Sequence, residues 1–411
     1  MNVTPLQGIR VLDHGHVWAG PLLGGSFVDM GAQVIKVQSP GRTSGVSMAG
    51  ARLGALEPGS GADDPMRYHG YDRGKKSITL DLAGEEGKAL YKRLVSISDV
   101  IVENFSARVM PSLGLSYEVL SQVNPGIILA SLAATGGTPG PWRDFMTYGP
   151  SLAALYGQKG LLGYHDDPAP REDTADLDPT AAGHAFFACL AALEYRERSG
   201  KGQWIDMAQG EAAMQRIGEP FMDYFLNGRV AGPNGNRYHG FAPHGIYRAA
   251  GDDEWISIAV RDDEEWASLL QVAGDEAPAL RDPRFATARQ REAAQDDLDA
   301  AVEQWTQRHD PNELTQRLQA ARVAAYPVMS PPTLLADPNY DALRRSHMRL
   351  EPAVQVPADQ IYQSVVWKLT KTPGVIQGPA PDMADDNDYV FGELLKIDAK
   401  ERTALHERGV I

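Results

Sequence analysis

Short, almost uniformly apolar runs alternate with amphipathic segments over the first half of the chain. Runs at 8–13 and 33–37 have the near-continuous apolar character of strands that are covered on both faces, and a helical pattern at 21–30 lies between them. A strand, a helix and a second strand in this order favour a parallel sheet. Further strands are predicted at 78–82, 99–103, 127–131 and 204–207. We therefore predict an α/β fold, with a Rossmann-like, doubly wound parallel sheet in the large domain.

The pattern changes after residue 228, where a smaller α+β domain is predicted. Residues 245–247 and 255–260 alternate like the strands of a hairpin, and helices are predicted to start near 263, 290 and 311. Glycines, asparagines and a proline between 232 and 237 mark the boundary. We predict a large domain over 1–228, a small domain over 229–330, and a C-terminal segment over 331–411 that returns to the large domain.

The strongest local pattern begins at Asp178. Asp178 directly precedes Pro179, a usual combination for the N-cap and the first residue of a helix, and Gly200 is a typical helix end. On this pattern alone, two interpretations of Asp178 remain. It is either a cap and nothing more, or an ionised carboxylate at a helix N-terminus that can attack an activated carbonyl.

Composition narrows the classes of function. The 411 residues include 54 acidic and 39 basic side chains, and the net charge of −15 argues against nucleic acid or a membrane as a partner. The one cysteine, Cys189, excludes a disulfide within the chain and a cysteine-based zinc site, so we expect a cytoplasmic protein. The sequence has no signal-peptide core, no apolar run long enough to span a membrane, and no spacing typical of metal ligands.

Candidate ligand-binding residues follow the first predicted strand. The linking segment at 15–21 lacks the Gly-x-Gly-x-x-Gly pattern, so a dinucleotide site is not indicated. Ligands nevertheless collect at the carboxyl ends of strands in such sheets, and Val17 and Trp18 stand at this position. A packing aromatic is the alternative interpretation of Trp18.

Three cations, Arg73, Lys75 and Lys76, precede the strand predicted at 78–82. Beside a sheet edge they can hold a phosphate by charge and hydrogen bonds. A solvated charged face is the alternative interpretation of the same pattern.

Several of these segments together resemble the family III CoA-transferases, which include formyl-CoA:oxalate and carnitine CoA-transferases. In that family an aspartate opens a helix of small residues that ends in Ala-Ala-Leu, and Gly-Arg/Lys-Gly-Gln follows. Here Ala-Ala-Leu at 191–193 and Gly-Lys-Gly-Gln at 200–203 stand at the family spacing from Asp178. Val-Glu-Asn-Phe at 102–105 and the segment at 31–37 are similar to further family motifs, so the resemblance spans nearly the whole chain.

The resemblance implies roles for individual residues. It implies that Asp178 is the catalytic nucleophile and that Trp18 and Tyr148 border the substrate pocket. Arg108 stands near positions 106 and 112, where other members have charged residues and this chain has serines. The CoA contacts implied in total are Val17, Trp18, Arg73, Lys75, Lys76, Asn104 and Arg108. From the residues alone, a turn at a strand end explains Asn104 and simple packing explains Tyr148.

The implied activity is the transfer of CoA from an acyl-CoA to a carboxylic acid, through a mixed anhydride and an aspartyl-CoA thioester at Asp178. CoA is then a substrate and not a permanently bound cofactor, the other partner is a small carboxylic acid, and two chains form an interlocked homodimer. Two alternatives stay open: an acyl-CoA racemase or isomerase of the same superfamily, and a CoA-binding protein without transferase activity. The racemases have a histidine where this chain has Tyr148.

Overall fold

The computed structural model describes residues 4–40, 71–164, 176–338, 365–378 and 380–411. These residues fall into two compact units. The first contains the described residues within 1–158, 172–227 and 343–411, and the second those within 159–171 and 228–342. Within these described ranges, none of the helices is both long and apolar enough to cross a membrane. The domain boundaries at 228 and 331 stay a prediction.

A six-stranded parallel sheet forms the centre of the first unit. Its strands are β1 (Arg10–Asp13), β2 (Gln33–Gln38), β3 (Lys76–Thr79), β4 (Val100–Glu103), β5 (Ile128–Ser131) and β6 (Trp204–Asp206). They lie in the order β3-β2-β1-β4-β5-β6, and every neighbouring pair is parallel. The predicted α/β fold is confirmed. The strand order reverses between β1 and β4, which is where sheets of this topology leave a crevice for ligands.

Helices cover both faces of this sheet. Those that precede residue 228 are α1 (Ala19–Asp29), α2 (Glu85–Val95), α3 (Val109–Ser112), α4 (Tyr117–Val123), α5 (Gly149–Leu155), α6 (Leu177–Ser199), α7 (Gln209–Met214) and α8 (Gly218–Asn227). Because side chains alternate along a strand, Val11 packs with α1 and α6 on one face, and Leu12 packs with α2 on the other. The Phe27 and Phe186 rings meet edge to face with centroids 5.2 Å apart, which joins α1 to α6.

The predicted end of the long helix α6 is confirmed. Gly200 takes the left-handed conformation with φ of 70°, and its N–H donates to the Arg196 carbonyl. Glycine adopts this conformation without the steric cost that a side chain would add. Cys189 lies buried in the core between α6 and the sheet, as a free thiol.

The second unit contains an antiparallel sheet covered by helices. Its strands are β7 (His244–Arg248), β8 (Trp255–Ala259) and β9 (Ala324–Pro327), in that order, and its helices are α9 (Asp263–Ala273), α10 (Ala288–Ala293), α11 (Gln295–Thr306), α12 (Pro311–Ala320) and α13 (Pro331–Ala336). The predicted hairpin is confirmed by the pairing of β7 with β8. Strand β9 was not predicted, because Ala-Ala-Tyr-Pro is too short to show an alternating pattern.

The described C-terminal residues pack on the first unit. A π-helical segment (Asp388–Leu394) and α14 (Ala399–Glu407) place Phe391 and Leu405 in the core on the α2 face of the sheet. The residues just before the π-helical segment cover the free edge of the edge strand β3. The Asp386 carboxylate accepts a hydrogen bond there from the Ser77 N–H at 2.8 Å. This contact satisfies a backbone donor at the sheet edge that would otherwise be open to pairing with another chain.

Candidate active site

The turn that joins β1 to α1, residues 14–18, lies beside the end of β4. The His16 N–H donates to Asn104 Oδ1, and Asn104 Nδ2 donates to the His16 carbonyl, each at 2.8 Å. The next residue, Val17, has φ of 62°. This left-handed conformation is strained for a β-branched side chain, and such strain persists only where the surroundings hold it. From the side of β4, the turn is held by the Asn104 amide and by a backbone hydrogen bond from the His14 N–H to the Val102 carbonyl at 2.8 Å.

The Asp178 carboxylate lies against the start of α1. Its Oδ1 accepts a hydrogen bond from the N–H of Ala19, the first residue of α1, at 3.2 Å. The prediction that Asp178 is the N-cap of its own helix is wrong. Helix α6 begins at Leu177, Asp176 takes the N-cap position, and Asp178 belongs to the first turn. The Asp178 side chain instead accepts the first N–H of α1, and Asp176 forms an ion pair with Arg216.

Opposing effects set the ionisation of Asp178. Burial raises the pKa of its carboxyl, while the hydrogen bonds from the Ala19 N–H and from its own backbone N–H lower the pKa. The net direction is upward. Both donors belong to first turns of helices, whose free N–H groups and dipoles favour a negative charge. The carboxylate is therefore partly desolvated and still supported in its ionised form.

Asp178 opens onto a cavity of about 170 Å³ at the carboxyl ends of β1, β4 and β5. Four of the predicted site residues line it together: Val17, Asn104, Tyr148 and Asp178. Trp18 and Arg108 are not among the lining residues. Trp18 is half-buried with its ring 6.2 Å from that of Tyr71, and Arg108 is exposed at the start of α3. Tyr148 is 66% exposed and forms the N-cap of α5.

Three further lining residues, His16, Arg143 and Gln209, were not predicted from the sequence. The Arg143 Nε donates to the Gly137 carbonyl at 2.9 Å, which holds the guanidinium at the cavity wall. Gln209 is buried, and its Nε2 donates to the Leu132 carbonyl at 2.6 Å. Arg143 lies in a loop without periodicity, so the only sequence signal was its position after a buried strand.

A second cavity of about 200 Å³ adjoins the first at the ends of β4, β5 and β6. The two cavities share Ala107, Ala133 and Arg143. Glu103, the last residue of β4, lines the second cavity, and its Oε2 accepts a hydrogen bond from the Phe105 N–H at 2.8 Å. Burial raises the pKa of the Glu103 carboxyl to about 7.

The structure places Arg73 and Lys75 in buried ion pairs. The Arg73 guanidinium binds both carboxylate oxygens of Asp29, at 2.7 and 2.8 Å. The fully buried Lys75 ammonium donates to Asp13 Oδ2 at 2.6 Å, to Asp72 Oδ1 at 2.8 Å and to the Pro21 carbonyl at 3.0 Å. These three acceptors match the three N–H donors of a lysine. A phosphate could reach Lys75 only if these contacts opened.

Lys76 differs from its two neighbours. Its side chain is 45% exposed and pairs with Asp386 at 3.0 Å. As the first residue of β3 it lies beside a groove formed by residues 8–10 and 31–34, at the amino ends of the strands. Lys76 is thus at the edge of the sheet opposite to Asp178. Contact of Arg73, Lys75 or Lys76 with CoA phosphates stays a prediction.

Histidines near the site are poor bases. Burial is the main cause that lowers the pKa of His16, and burial lowers the pKa of His14 to about 4. The buried His14 ring also contacts the Tyr91 hydroxyl at 2.8 Å. Within the described ranges of the chain, we find no cluster of three or more His, Cys, Asp or Glu side chains arranged to hold a metal ion.

The contacts of Lys75 lead to a prediction for stability. Lys75→Met leaves Asp13 and Asp72 with less charge compensation in a buried site, and we expect a loss of about 3–5 kcal/mol in the free energy of unfolding. The matched control Lys76→Met removes an exposed charge and should cost less than about 1 kcal/mol. Urea unfolding followed by circular dichroism at pH 7 measures both. Wild-type stability of Lys75→Met, together with a raised KM for an acyl-CoA, would make Lys75 a CoA ligand.

Glu103 leads to a prediction for pH dependence. The folded protein keeps the Glu103 proton up to a pKa of about 7, whereas the ordinary value is 4.5. Between pH 4.5 and about 7, folded chains therefore bind more protons than unfolded chains. Glu103 makes the free energy of unfolding fall as the pH rises through this range. Glu103→Gln removes this titration, so its stability relative to wild type should rise between pH 4.5 and 7, by roughly 3 kcal/mol at most.

Unfolding by urea at pH 5, 6, 7 and 8 measures this difference. Glu118→Gln is the control, because Glu118 lines the same cavity but is exposed. A constant difference between Glu103→Gln and wild type across the four pH values would contradict the raised pKa.

Comparison with known proteins agrees with the resemblance found in the sequence. The family model described as CoA-transferase family III matches residues 6–387. A succinyl-CoA–D-citramalate CoA-transferase from Chloroflexus aurantiacus is 32% identical over 420 residues, which cover 99% of this chain and 98% of the relative. A succinate–glutarate CoA-transferase from Agrobacterium fabrum is 31% identical over 402 residues, which cover 97% of each chain.

The fold agrees as well. The crystal structure of a CaiB/BaiF family protein from Brucella suis superposes with a TM-score of 0.81 at 28% identity, and covers 96% of this chain and 100% of that protein. Sequence, fold and relatives thus lead to the same assignment, and the chain belongs to CoA-transferase family III.

Proposed function

We propose that this enzyme moves CoA from an acyl-CoA to a small carboxylic acid through covalent intermediates on Asp178. The observation that carries the proposal is the position of the Asp178 carboxylate. It borders a cavity at the switch point of the sheet and accepts the Ala19 N–H at 3.2 Å. A partly desolvated carboxylate with a fixed orientation is a better nucleophile than one in water, because it needs less reorganisation to attack.

The first half of the reaction transfers CoA to the protein. The Asp178 carboxylate attacks the thioester carbonyl carbon, the C–S bond breaks with its electron pair on sulfur, and a mixed anhydride forms between the acyl group and Asp178. The CoA thiolate then attacks the Asp178 carbonyl carbon of the anhydride. The first acid leaves as a carboxylate, and an aspartyl-CoA thioester remains.

The second half repeats these steps in reverse. The acceptor carboxylate attacks the aspartyl thioester and expels CoA thiolate, which gives a second mixed anhydride. The thiolate attacks the acyl carbon of the acceptor, and Asp178 leaves as a carboxylate. Each step exchanges one anionic nucleophile for one anionic leaving group, so no proton is transferred. A site whose histidines are poor bases suits this chemistry.

Backbone N–H groups at the start of α1 support the charge that develops in these steps. Each tetrahedral intermediate carries an oxyanion, and N–H donors that are already oriented stabilise it without reorganisation. The Ala19 N–H is one such donor for the intermediates that form at the Asp178 carbonyl, since it contacts an oxygen of that carboxyl group. Asp178 also lies in the first turn of α6, where the helix dipole favours negative charge.

The substrate acid is proposed to be small. The related enzymes are named for succinate, glutarate and D-citramalate. The Asp178 cavity, at about 170 Å³, is below the roughly 300–1,000 Å³ of pockets for drug-sized ligands. It therefore suits a short acyl group with its thioester. Arg143 lies at the junction with the second cavity and offers a cation to an anionic part of either substrate.

The remaining site residues keep the roles implied by the resemblance as proposals. Val17 lines the cavity and is proposed to contact the thioester end of CoA, and Tyr148 to border the acyl group. Trp18 and Arg108 do not line this cavity and are proposed to contact CoA outside it. The resemblance also implies that Trp18 borders the substrate pocket, and this stays a proposal. CoA is proposed to enter as a substrate, and the protein is proposed to work in the cytoplasm.

A homodimer is also proposed, and α8 supports it. Each of the ten residues of this helix is at least partly exposed. Phe225 and Leu226 are exposed by 77% and 73%, and Met222 and Tyr224 are also exposed. Apolar side chains grouped in this way are typical of an interaction surface. An interlocked second copy of the chain, as the resemblance implies, would cover them.

Replacement of the nucleophile tests the mechanism. Asp178→Asn keeps the size and polarity of the side chain but removes the charge, and we expect at least a 10³-fold loss of kcat with no loss of fold. Intact-protein mass spectrometry of the wild type, after incubation with a panel of acyl-CoAs, should detect a CoA-sized adduct. Peptide mapping should locate this adduct at Asp178 and find none in the variant.

Three results would contradict the proposal. Turnover by Asp178→Asn close to that of the wild type would exclude the covalent role. Deuterium exchange at the α-carbon of a branched acyl-CoA, without CoA transfer, would favour the isomerase alternative. Tight binding of acyl-CoA without turnover of any panel member would favour a CoA-binding protein.

The dimer is tested by light scattering after size-exclusion chromatography. We expect a wild-type mass twice that of the chain. Because interlocked chains separate only on unfolding, Phe225→Ser with Leu226→Ser is compared with the wild type after refolding from urea, and it should yield more monomer, since the pair contributes apolar area to the interface. A monomeric wild type would contradict the dimer. A double variant that recovers as much dimer as the wild type after the same refolding would exclude α8 as part of the interface.

A further inference from the structure

The side chain of Asn104 forms a closed pair of hydrogen bonds with one backbone residue. Its Oδ1 accepts from the His16 N–H and its Nδ2 donates to the His16 carbonyl, both at 2.8 Å. Gly20, the second residue of α1, makes room for this contact, because a Cβ at Gly20 would lie 2.8 Å from Asn104 Oδ1. Both polar atoms of the amide are therefore committed to the turn at 14–18.

The residues that follow His16 explain what this contact achieves. Val17 is held at φ of 62°, a conformation that a β-branched residue leaves readily when its surroundings permit. Two residues later, the Ala19 N–H donates to Asp178 Oδ1 at 3.2 Å. This N–H thus lies directly after the strained turn. The His14 and Gly15 N–H groups hold the start of the turn, and the Asn104 amide holds His16, the residue just before Val17.

We propose that Asn104 is a positioning residue for the nucleophile: its amide holds His16 so that the Ala19 N–H meets the Asp178 carboxylate. This inference rests on the proposed role of Asp178. It differs from the role implied by the resemblance, in which Asn104 contacts CoA. The two roles have different kinetic consequences, because a lost CoA contact weakens binding while a misplaced N–H alters Asp178 itself.

Loss of the Asn104 contact should change the pKa of Asp178 in a definite direction. The Ala19 N–H stabilises the ionised carboxylate, so its loss should raise the pKa of Asp178 further above the ordinary value. The nucleophile must be ionised, and the acidic limb of the kcat/KM profile should then move to higher pH. The other titratable residues that line the cavity are His16, Arg143 and Tyr148. Asp176, the N-cap of α6, is paired with Arg216.

The test compares Asn104→Ser with Asn124→Ser. Asn124 is a matched control: its Nδ2 donates to the carbonyls of Val95 and Ser98 at 3.0 and 2.9 Å, and its Oδ1 accepts from the Gly126 N–H at 3.0 Å. It thus clamps backbone in the same way, but ahead of β5 and away from the cavity. Equal thermal unfolding temperatures for the two variants would show that a difference in their kcat or KM does not come from a difference in stability.

We expect Asn104→Ser to lower kcat roughly 10–100-fold and to move the acidic limb up by about one pH unit, with KM for acyl-CoA changed less than about threefold. Asn124→Ser should leave kcat, KM and the limb unchanged. A raised KM with an unmoved limb would overturn the inference in favour of a CoA contact. Kinetics equal to those of the wild type would also overturn it.

A second measurement does not depend on activity. Carbodiimides modify the protonated carboxyl group, so the pH dependence of Asp178 labelling, followed by peptide mass spectrometry, reports its titration directly. We expect the midpoint for Asn104→Ser to lie above that of the wild type and of Asn124→Ser, and equal midpoints would overturn the inference. If the wild type transfers no CoA and the labelling midpoint of Asn104→Ser still lies above that of the wild type, the proposed function is contradicted and the positioning role of Asn104 is supported.

Discussion

The active site is arranged around one hydrogen bond, in which the first N–H group of α1 donates to the Asp178 carboxylate. The first N–H groups of a helix have no acceptor within the helix itself. The Ala19 N–H meets a carboxylate that is distant in sequence and belongs to the first turn of α6. Two helix N-termini therefore face one negative charge. The parallel sheet allows this contact, because the strand order reverses between β1 and β4. The chain segments that follow these two strands leave a crevice at their carboxyl ends.

Buried charge beneath the turn supports the same arrangement. Asp13 at the end of β1 accepts the Gly15 N–H at 2.6 Å, and its other oxygen binds Lys75, which in turn binds the Pro21 carbonyl in the first turn of α1. Ions buried in this way lose hydration that their mutual attraction only partly offsets, so they add little net stability. Their effect is geometric, since one ammonium connects the end of β1 to the start of α1. Gly24 completes the packing, because a Cβ there would lie 2.3 Å from Asp13 Oδ2.

The sequence predicted most of the sheet well, because strands covered on both faces leave continuous apolar runs that need no knowledge of the partner strand. The exception is β3, which was predicted at 78–82 but lies at Lys76–Thr79, where the edge strand begins with two polar residues. It also predicted Val17, Asn104, Tyr148 and Asp178, which line one cavity. It could not distinguish a phosphate-binding lysine from a buried one, since the acceptors of Lys75 stand 62 and 3 residues away and only the fold joins them. The N-cap error has a similar origin. Asp-Pro is a local signal, while the partner of the Asp178 carboxylate lies 159 residues away.

The chemistry of the site depends on a balance at Asp178. Burial makes the carboxylate more basic, which strengthens it as a nucleophile but also favours its protonated, inactive form. N–H donors act in the opposite sense, because they stabilise the anion and slightly weaken its attack. In the steps in which the CoA thiolate or the acceptor carboxylate attacks the Asp178 carbonyl carbon, the oxyanion of the tetrahedral intermediate lies on Asp178 itself, and the same donors stabilise it. A donor fixed by the fold thus weakens Asp178 slightly when it is the nucleophile and lowers the barrier when Asp178 carries the oxyanion. Both effects depend on the orientation of the turn that carries Ala19.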